Sequence, residues 1–347
     1  MSFFDVNTVD RKDSYFAAAN TGDGFVSYFS EIFCKVKKIY VIKGGPGTGK
    51  STLMNKIAAE GKNRGFEVKK YYCSSDTNSL DGVIVGEEFA VLDGTSPHAT
   101  EPRNVGAVDE IIDLCDMWST DILVKNKEAI CNLTKEISIK YKSVYRLLSA
   151  LATLENEYFS IVDRHVNAEK LKKFTDRLAS RADKGGVVNT LLCDAIGTRG
   201  YTHINSIERK TKRVIYLGGK YHEGLIFLRF LKNSLDSAGA SYDISYSPEN
   251  SMPTTIMFGD TAFVCAGSMP PEVKVLNTYR FLYPTVKNEK TRLKAAAKIC
   301  KELSVLICGE LGGIGALHDE LEEFYKSAMN YEKLDRFTKK LLIKMFC

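Results

Sequence analysis

Residues 38–52 read KIYVIKGGPGTGKST, an apolar run followed by glycines, a lysine and two hydroxyls. Gly44 to Ser51 satisfy the pattern G-x-x-x-x-G-K-[ST] in full. Glycines at that spacing let successive backbone N–H groups turn inward around phosphate oxygens. A helix starting at the end of the loop adds its own unpaired N–H groups and partial positive charge. Lys50 has the length and charge to reach the outer phosphates of a nucleotide, and the Ser51 hydroxyl suits Mg²⁺. Gly44, Gly45, Gly47, Thr48, Gly49, Lys50, Ser51 and Thr52 are therefore the expected nucleotide contacts.

The motif needs a strand before it and a helix after it. Ile39 to Ile42 supply a β-type run, and Leu53, Met54, Ile57 and Ala58 fall at helical spacing. Gly65 suits the helix C-terminus, and Phe66 to Tyr72 read as a second strand. Phe89 to Leu92 form a short buried strand that ends at Asp93. A carboxylate at such a strand end can hold Mg²⁺ through water, so Asp93 joins Ser51 as a predicted metal ligand. Asp76, after the second predicted strand, is the first choice for orienting a reacting water, with an Asx turn as its alternative. Glu87, Glu88 and Asp81 are further local carboxylates. Thr95, Ser96 and His98 would suit an acceptor pocket. Val108, Ile111, Ile112 and Cys115 follow the helical period, so 108–181 reads as a helical extension without strands. Gly185 and Gly186 end it.

The 347 residues allow two domains. The composition, 44% apolar and 26% charged, is that of a globular protein, and the net charge of +5 is too thinly spread to mark a nucleic-acid partner. There is no apolar run long enough to span a membrane, and the acidic N-terminus does not read as a signal peptide. A cytoplasmic location is expected. Nine cysteines without a C-x-x-C pair argue against zinc and a disulfide framework.

The second half repeats the first. Gly218 and Gly219 answer Gly44 and Gly45, an offset of 218 − 44 = 174. Without a gap, Gly239 then answers Gly65 and Phe263 answers Phe89. Residues 332–341 (EKLDRFTKKL) answer 169–178 (EKLKKFTDRL). On this alignment Lys50 faces Gly224, Ser51 faces Leu225, and Asp93 faces Ala266 or Gly267. The apolar positions persist while the phosphate and metal groups are replaced. The expected division is 1–184, with the intact loop, and 185–347, with a degenerate one.

The segments GGPGTGKST, CSSDTNSLDGVIV and FAVLDGTSPH, together with the repeat, resemble an uncharacterised, Firmicutes-type family of bacterial tandem P-loop ATPases. The resemblance covers nearly the whole chain, most clearly 16–120 and 187–270. It implies an α/β P-loop NTPase fold in two duplicated three-layer lobes with helical extensions. It also implies ATP and Mg²⁺ as ligands and ATP hydrolysis, with Gly44 to Ser51 as phosphate loop and Asp93 as metal aspartate. The alternatives are a small-molecule kinase and a nucleotide-controlled binding protein with negligible turnover. The substrate or protein partner beyond the nucleotide is not specified. The basic amphipathic segment 331–347 is expected to be a packing helix.

Overall fold

The computed structural model describes residues 2–95, 101–265 and 273–346. The chain is mixed α/β and divides into two compact units that are each discontinuous in sequence. One, the Gly44 unit, comprises residues 13–19, 25–143 and 310–347; the other, the Gly218 unit, comprises 1–12, 20–24 and 144–309. This differs from the single cut expected near Gly185.

The sheet of the Gly44 unit uses six strands: β1 (Ser14–Phe16), β2 (Lys38–Lys43), β3 (Val68–Tyr72), β4 (Leu80–Val85), β5 (Phe89–Asp93) and β6 (Glu110–Asp113). Their order is β1-β3-β4-β5-β2-β6. The β3/β4 and β4/β5 pairings are antiparallel, and the other three are parallel. Strand β2, paired on both sides by β5 and β6, is buried from Ile39 through Ile42. Such an unbroken apolar run is what a strand covered on both faces requires.

In the Gly218 unit the strands are β7 (Val188–Thr190), β8 (Arg213–Gly218), β9 (Tyr242–Tyr246), β10 (Pro253–Phe258), β11 (Thr261–Val264) and β12 (Val275–Asn277). The order is β7-β9-β10-β11-β8-β12, with the same sense at every pairing as in the first sheet. Both sheets shift register at one place, Tyr71/Tyr72 in β3 and Ser245/Tyr246 in β9. A separate three-stranded sheet joins Val6–Val9, Gly200–Ile204 and Asp194–Gly197.

Six helices matter here: α1 (Lys50–Asn63), α2 (Lys127–Asp163), α3 (Ala168–Ala179), α4 (Glu223–Ser237), α5 (Lys290–Ala328) and α6 (Tyr331–Phe346). The terminal segment is the packing helix expected. Its Leu334 and Leu341 join the core of the Gly44 unit beside Leu53, Met54 and Ile57 of α1. Lys56 on α1 pairs with Asp335 on α6 at 2.6 Å. In the Gly218 unit, α3 packs on α4 in the corresponding way, with Thr175 Oγ1 and Ser234 Oγ 2.8 Å apart in the buried contact. Thus α6, late in the sequence, completes the unit of the first loop, and α3, early in it, completes the other.

Two local readings change. The segment expected to begin a helix at Val108 instead forms β6. Ile111 and Ile112 are β-branched and favour a pleated surface, and β2 offers them a parallel edge. The strand is anchored by Asp109, whose buried carboxylate accepts the Ile39 N–H at 2.8 Å and a bidentate contact from Arg103. The Arg103 hydrogen bond holds the Asp109 pKa down at about 2. The strand β4, not singled out in the sequence, follows the Asp76 turn and forms a hairpin with β5 through Gly86.

The Gly218 unit contains a buried ionic cluster. His203 Nδ1 lies 2.8 Å from Asp194 and Nε2 lies 2.7 Å from Glu208. Asp194 also accepts hydroxyls from Thr254 at 2.6 Å and Ser245 at 3.0 Å. Burial alone would lower the His203 pKa, but Asp194 and Glu208 outweigh it and raise it to about 10. The folded value exceeds the ordinary 6.5, so the imidazolium's contribution is full below pH 6.5 and is lost as pH rises through about 10. Denaturation of the wild type should therefore become easier across that window. In His203→Gln the protein should be less stable at pH 7 but show a flatter fall toward pH 10. Equal slopes for the two proteins would contradict the charged cluster.

Candidate functional site

The glycine-rich loop joins β2 to α1 in the Gly44 unit. Its shape rests on two residues in the left-handed region, Gly47 at φ 67° and Gly49 at φ 88°. Gly49 is the N-cap of α1, so Lys50 is the first helical residue and Ser51 the second. Thr48 Oγ1 donates to the Gly45 carbonyl at 2.8 Å and pins the loop's first turn, while Thr95 Oγ1 lies 3.0 Å from the Gly44 carbonyl.

Helices of the same unit press on the loop. A Cβ on Gly45 would lie 2.3 Å from the Tyr325 ring of α5. One on Gly47 would meet Glu322 at 3.1 Å, and one on Gly49 would meet Leu334 of α6 at 3.0 Å. These glycines therefore serve close helix packing as well as backbone freedom.

Lys50 Nζ donates to the carbonyls of Gly45 at 2.6 Å and Gly44 at 3.1 Å, and lies 3.5 Å from Asp93 Oδ2. Asp93 ends β5, which lies next to β2, so register places it beside the loop. Its other oxygen accepts the Thr95 N–H at 2.9 Å and the Thr95 hydroxyl. Ser51 Oγ accepts the Leu80 N–H at 3.0 Å, which ties α1 to the start of β4. Thr52 is exposed on the first turn of α1. Asp76 sits in the turn before β4, where it accepts the Asn78 N–H at 3.2 Å and the Ser79 hydroxyl at 2.6 Å. Ser96 and His98 lie outside the described residues.

Asp81 is the residue that motif reading underweighted. It stands on β4, is 4% exposed, and feels the charges of Asp93, Lys50 and Asp76. Burial raises its pKa well above the usual carboxylate range, and the Asp93 charge adds to that. Its signal in the sequence was an acidic residue inside an otherwise apolar strand, LDGVIV. The hard oxygen donors of Ser51 and Asp93 suit Mg²⁺. Among the described residues no group of three or more His, Cys, Asp or Glu side chains forms a metal cage.

The corresponding place in the Gly218 unit is built differently. Six residues, 44–49, separate β2 from α1, but only four, 219–222, separate β8 from α4. That difference, 6 − 4 = 2, shifts the correspondence from the ungapped one. Strand pairing sets Gly218 with Asn277, as it sets Lys43 with Asp113. Helix starts set Glu223 with Lys50 and Gly224 with Ser51. One residue beyond the Tyr216–Val264 pair, Cys265 takes the place of Asp93; Ala266 and Gly267 lie outside the described residues.

Trp118, the sole tryptophan, packs edge-on against Tyr325 at 6.0 Å. Gly45→Ala should displace Tyr325, lower the unfolding midpoint and shift Trp118 emission without any ligand. Adding Tyr325→Ala should recover part of the stability by making room. Wild-type emission and stability in Gly45→Ala would contradict this packing.

Compared with known proteins, the chain matches no protein-family model, no curated protein and no solved structure.

Proposed function

We propose that the Gly44 unit binds Mg-ATP through a P-loop and hydrolyses it, and that the Gly218 unit is a duplicated, degenerate copy. The observation that carries this reading is one juxtaposition. Lys50, at the first position of α1 after a full G-x-x-x-x-G-K-S loop, lies 3.5 Å from Asp93 at the end of the neighbouring strand. Gly44, Gly45, Gly47, Thr48 and Gly49 would supply backbone N–H groups to phosphate oxygens, Lys50 the cation, and Thr52 a hydroxyl. Ser51 would ligate Mg²⁺ directly and Asp93 through water. Held by Ser51 and Asp93, Mg²⁺ would supply positive charge to offset the negative charge that develops during phosphoryl transfer. For Lys50 to serve, it must exchange its two loop carbonyls for phosphate. That exchange replaces neutral acceptors with charged ones, which make the stronger hydrogen bonds.

On this reading Asp76 or Asp81 would orient the reacting water; Asp81 lies close enough to feel the charges of Asp93 and Lys50. Support for duplication comes from the matching strand order and sense, the matching register shifts, and the similar helices α3 and α6 packed on α4 and α1. Among the described residues no helix is long and apolar enough to cross a membrane.

Phosphate release from ATP tests the reading. Lys50→Ala should abolish turnover and weaken Mg-ATP binding by roughly 10- to 100-fold, the scale of a lost charge-assisted hydrogen bond of about 1.5–3 kcal/mol. Asp93→Asn should mainly raise the Mg²⁺ concentration needed for half-maximal rate. Whichever of Asp76→Asn and Asp81→Asn loses turnover while retaining binding identifies the water-orienting group. Turnover unchanged in Lys50→Ala would refute the assignment, and tight ATP retention without turnover in the wild type would favour a nucleotide-controlled binding protein.

A further inference from the structure

The short loop of the Gly218 unit is filled by its own chain. Glu223 opens α4 and is 3% exposed, and its carboxylate turns back over residues 219–221. It accepts the Tyr221 N–H at 2.7 Å and the Lys220 N–H at 3.2 Å. A Cβ on Gly219 would lie 2.2–2.5 Å from that carboxylate, so only glycine leaves room for it. The preceding residue, His222, takes the left-handed conformation at φ 57°, which Gly49 takes before Lys50. A side chain pays for that conformation where glycine does not. His222 is held by Phe3, stacked on its ring at 4.5 Å, and by Tyr158, edge-on at 5.5 Å.

A negative group held by loop N–H groups at a helix start is the arrangement a phosphate would adopt. Here the anion is covalently part of the helix, at the position where the other loop carries a lysine. We propose that Glu223 is a built-in anion that occupies this loop in place of a phosphate group and keeps the start of α4 in a filled-loop geometry without nucleotide. The comparison with Lys50 rests on the duplication reading; the contacts of Glu223 do not. These N–H groups precede the N-cap His222, so the contacts are not those of an ordinary N-cap side chain, which accepts from the second or third helical residue. The distinguishing consequence is that removing the carboxylate leaves a cradle that a free anion can enter.

The test uses the full chain with Lys50→Ala in every sample, so that binding at the other loop does not enter the comparison. Thermal unfolding is followed in inorganic phosphate and in chloride at matched ionic strength. Lys50→Ala/Glu223→Ala should unfold about 4 °C or more below Lys50→Ala in chloride, and phosphate should restore at least half of the loss. Lys50→Ala alone, and Lys50→Ala/Glu223→Gln, in which an amide still fills the loop, should respond to phosphate no more than to chloride. If Glu223→Ala cannot be recovered folded, its refolding yield in phosphate against chloride becomes the readout, and rescue is expected. A destabilised Glu223→Ala protein without phosphate response, no rescue of refolding, or an equal response in Lys50→Ala alone would overturn the proposal. Failure of ATP to bind the wild type would leave these comparisons intact.

Discussion

A short strand-to-helix loop gathers backbone polar groups at the start of the helix, and each needs a partner. Residues 44–49 and 219–222 are such loops, and the charge of the first helical residue decides which of those groups it satisfies. Lys50 takes up the carbonyls of Gly44 and Gly45. Glu223 takes up the N–H groups of Lys220 and Tyr221. A phosphate needs N–H groups and a cation, so the first solution suits an incoming anion and the second supplies one. Two neighbouring positions differ as well: Ser51 and Asp93 stand where the other unit has Gly224 and Cys265.

The loops are held in these shapes by packing far along the chain. In the Gly44 unit, Tyr325 and Leu334 touch the loop where Gly45 and Gly49 have no side chain. The same helix that carries Leu334 pairs with α1 through Asp335. In the Gly218 unit, Asp176 of α3 accepts the Ser234 hydroxyl of α4 at 2.8 Å. Each loop helix therefore has a long amphipathic neighbour whose sequence position gives no hint of the pairing.

The local elements around the loop were legible in the sequence and their distant partnerships less so. Strand β2, the loop, α1 and Asp93 were readable because glycine spacing and apolar runs are local signals. Strand β6 was hidden because Ile111 and Ile112 also fit a helical period over a short window. Asp81 was named among the local carboxylates, but its burial depends on β4 pairing with β3 and β5, which is non-local. The likeness of residues 169–178 to 332–341 was visible in the sequence. What could not be read was that each of these helices packs in the unit of the other half's loop. Glu223 was not legible because the loop before it is two residues shorter, four against six, which moves Glu223 rather than Gly224 to the helix start.

The central claim is asymmetry: one loop is built for a nucleotide and the other is occupied by a carboxylate. Its most direct measurement is the equilibrium stoichiometry of a slowly hydrolysed ATP analogue with Mg²⁺, read from Trp118 emission and by calorimetry on the same protein. The account predicts one tight site per chain, lost in Lys50→Ala and kept in Glu223→Gln. Two equivalent sites per chain, or tight binding that survives Lys50→Ala, would contradict it.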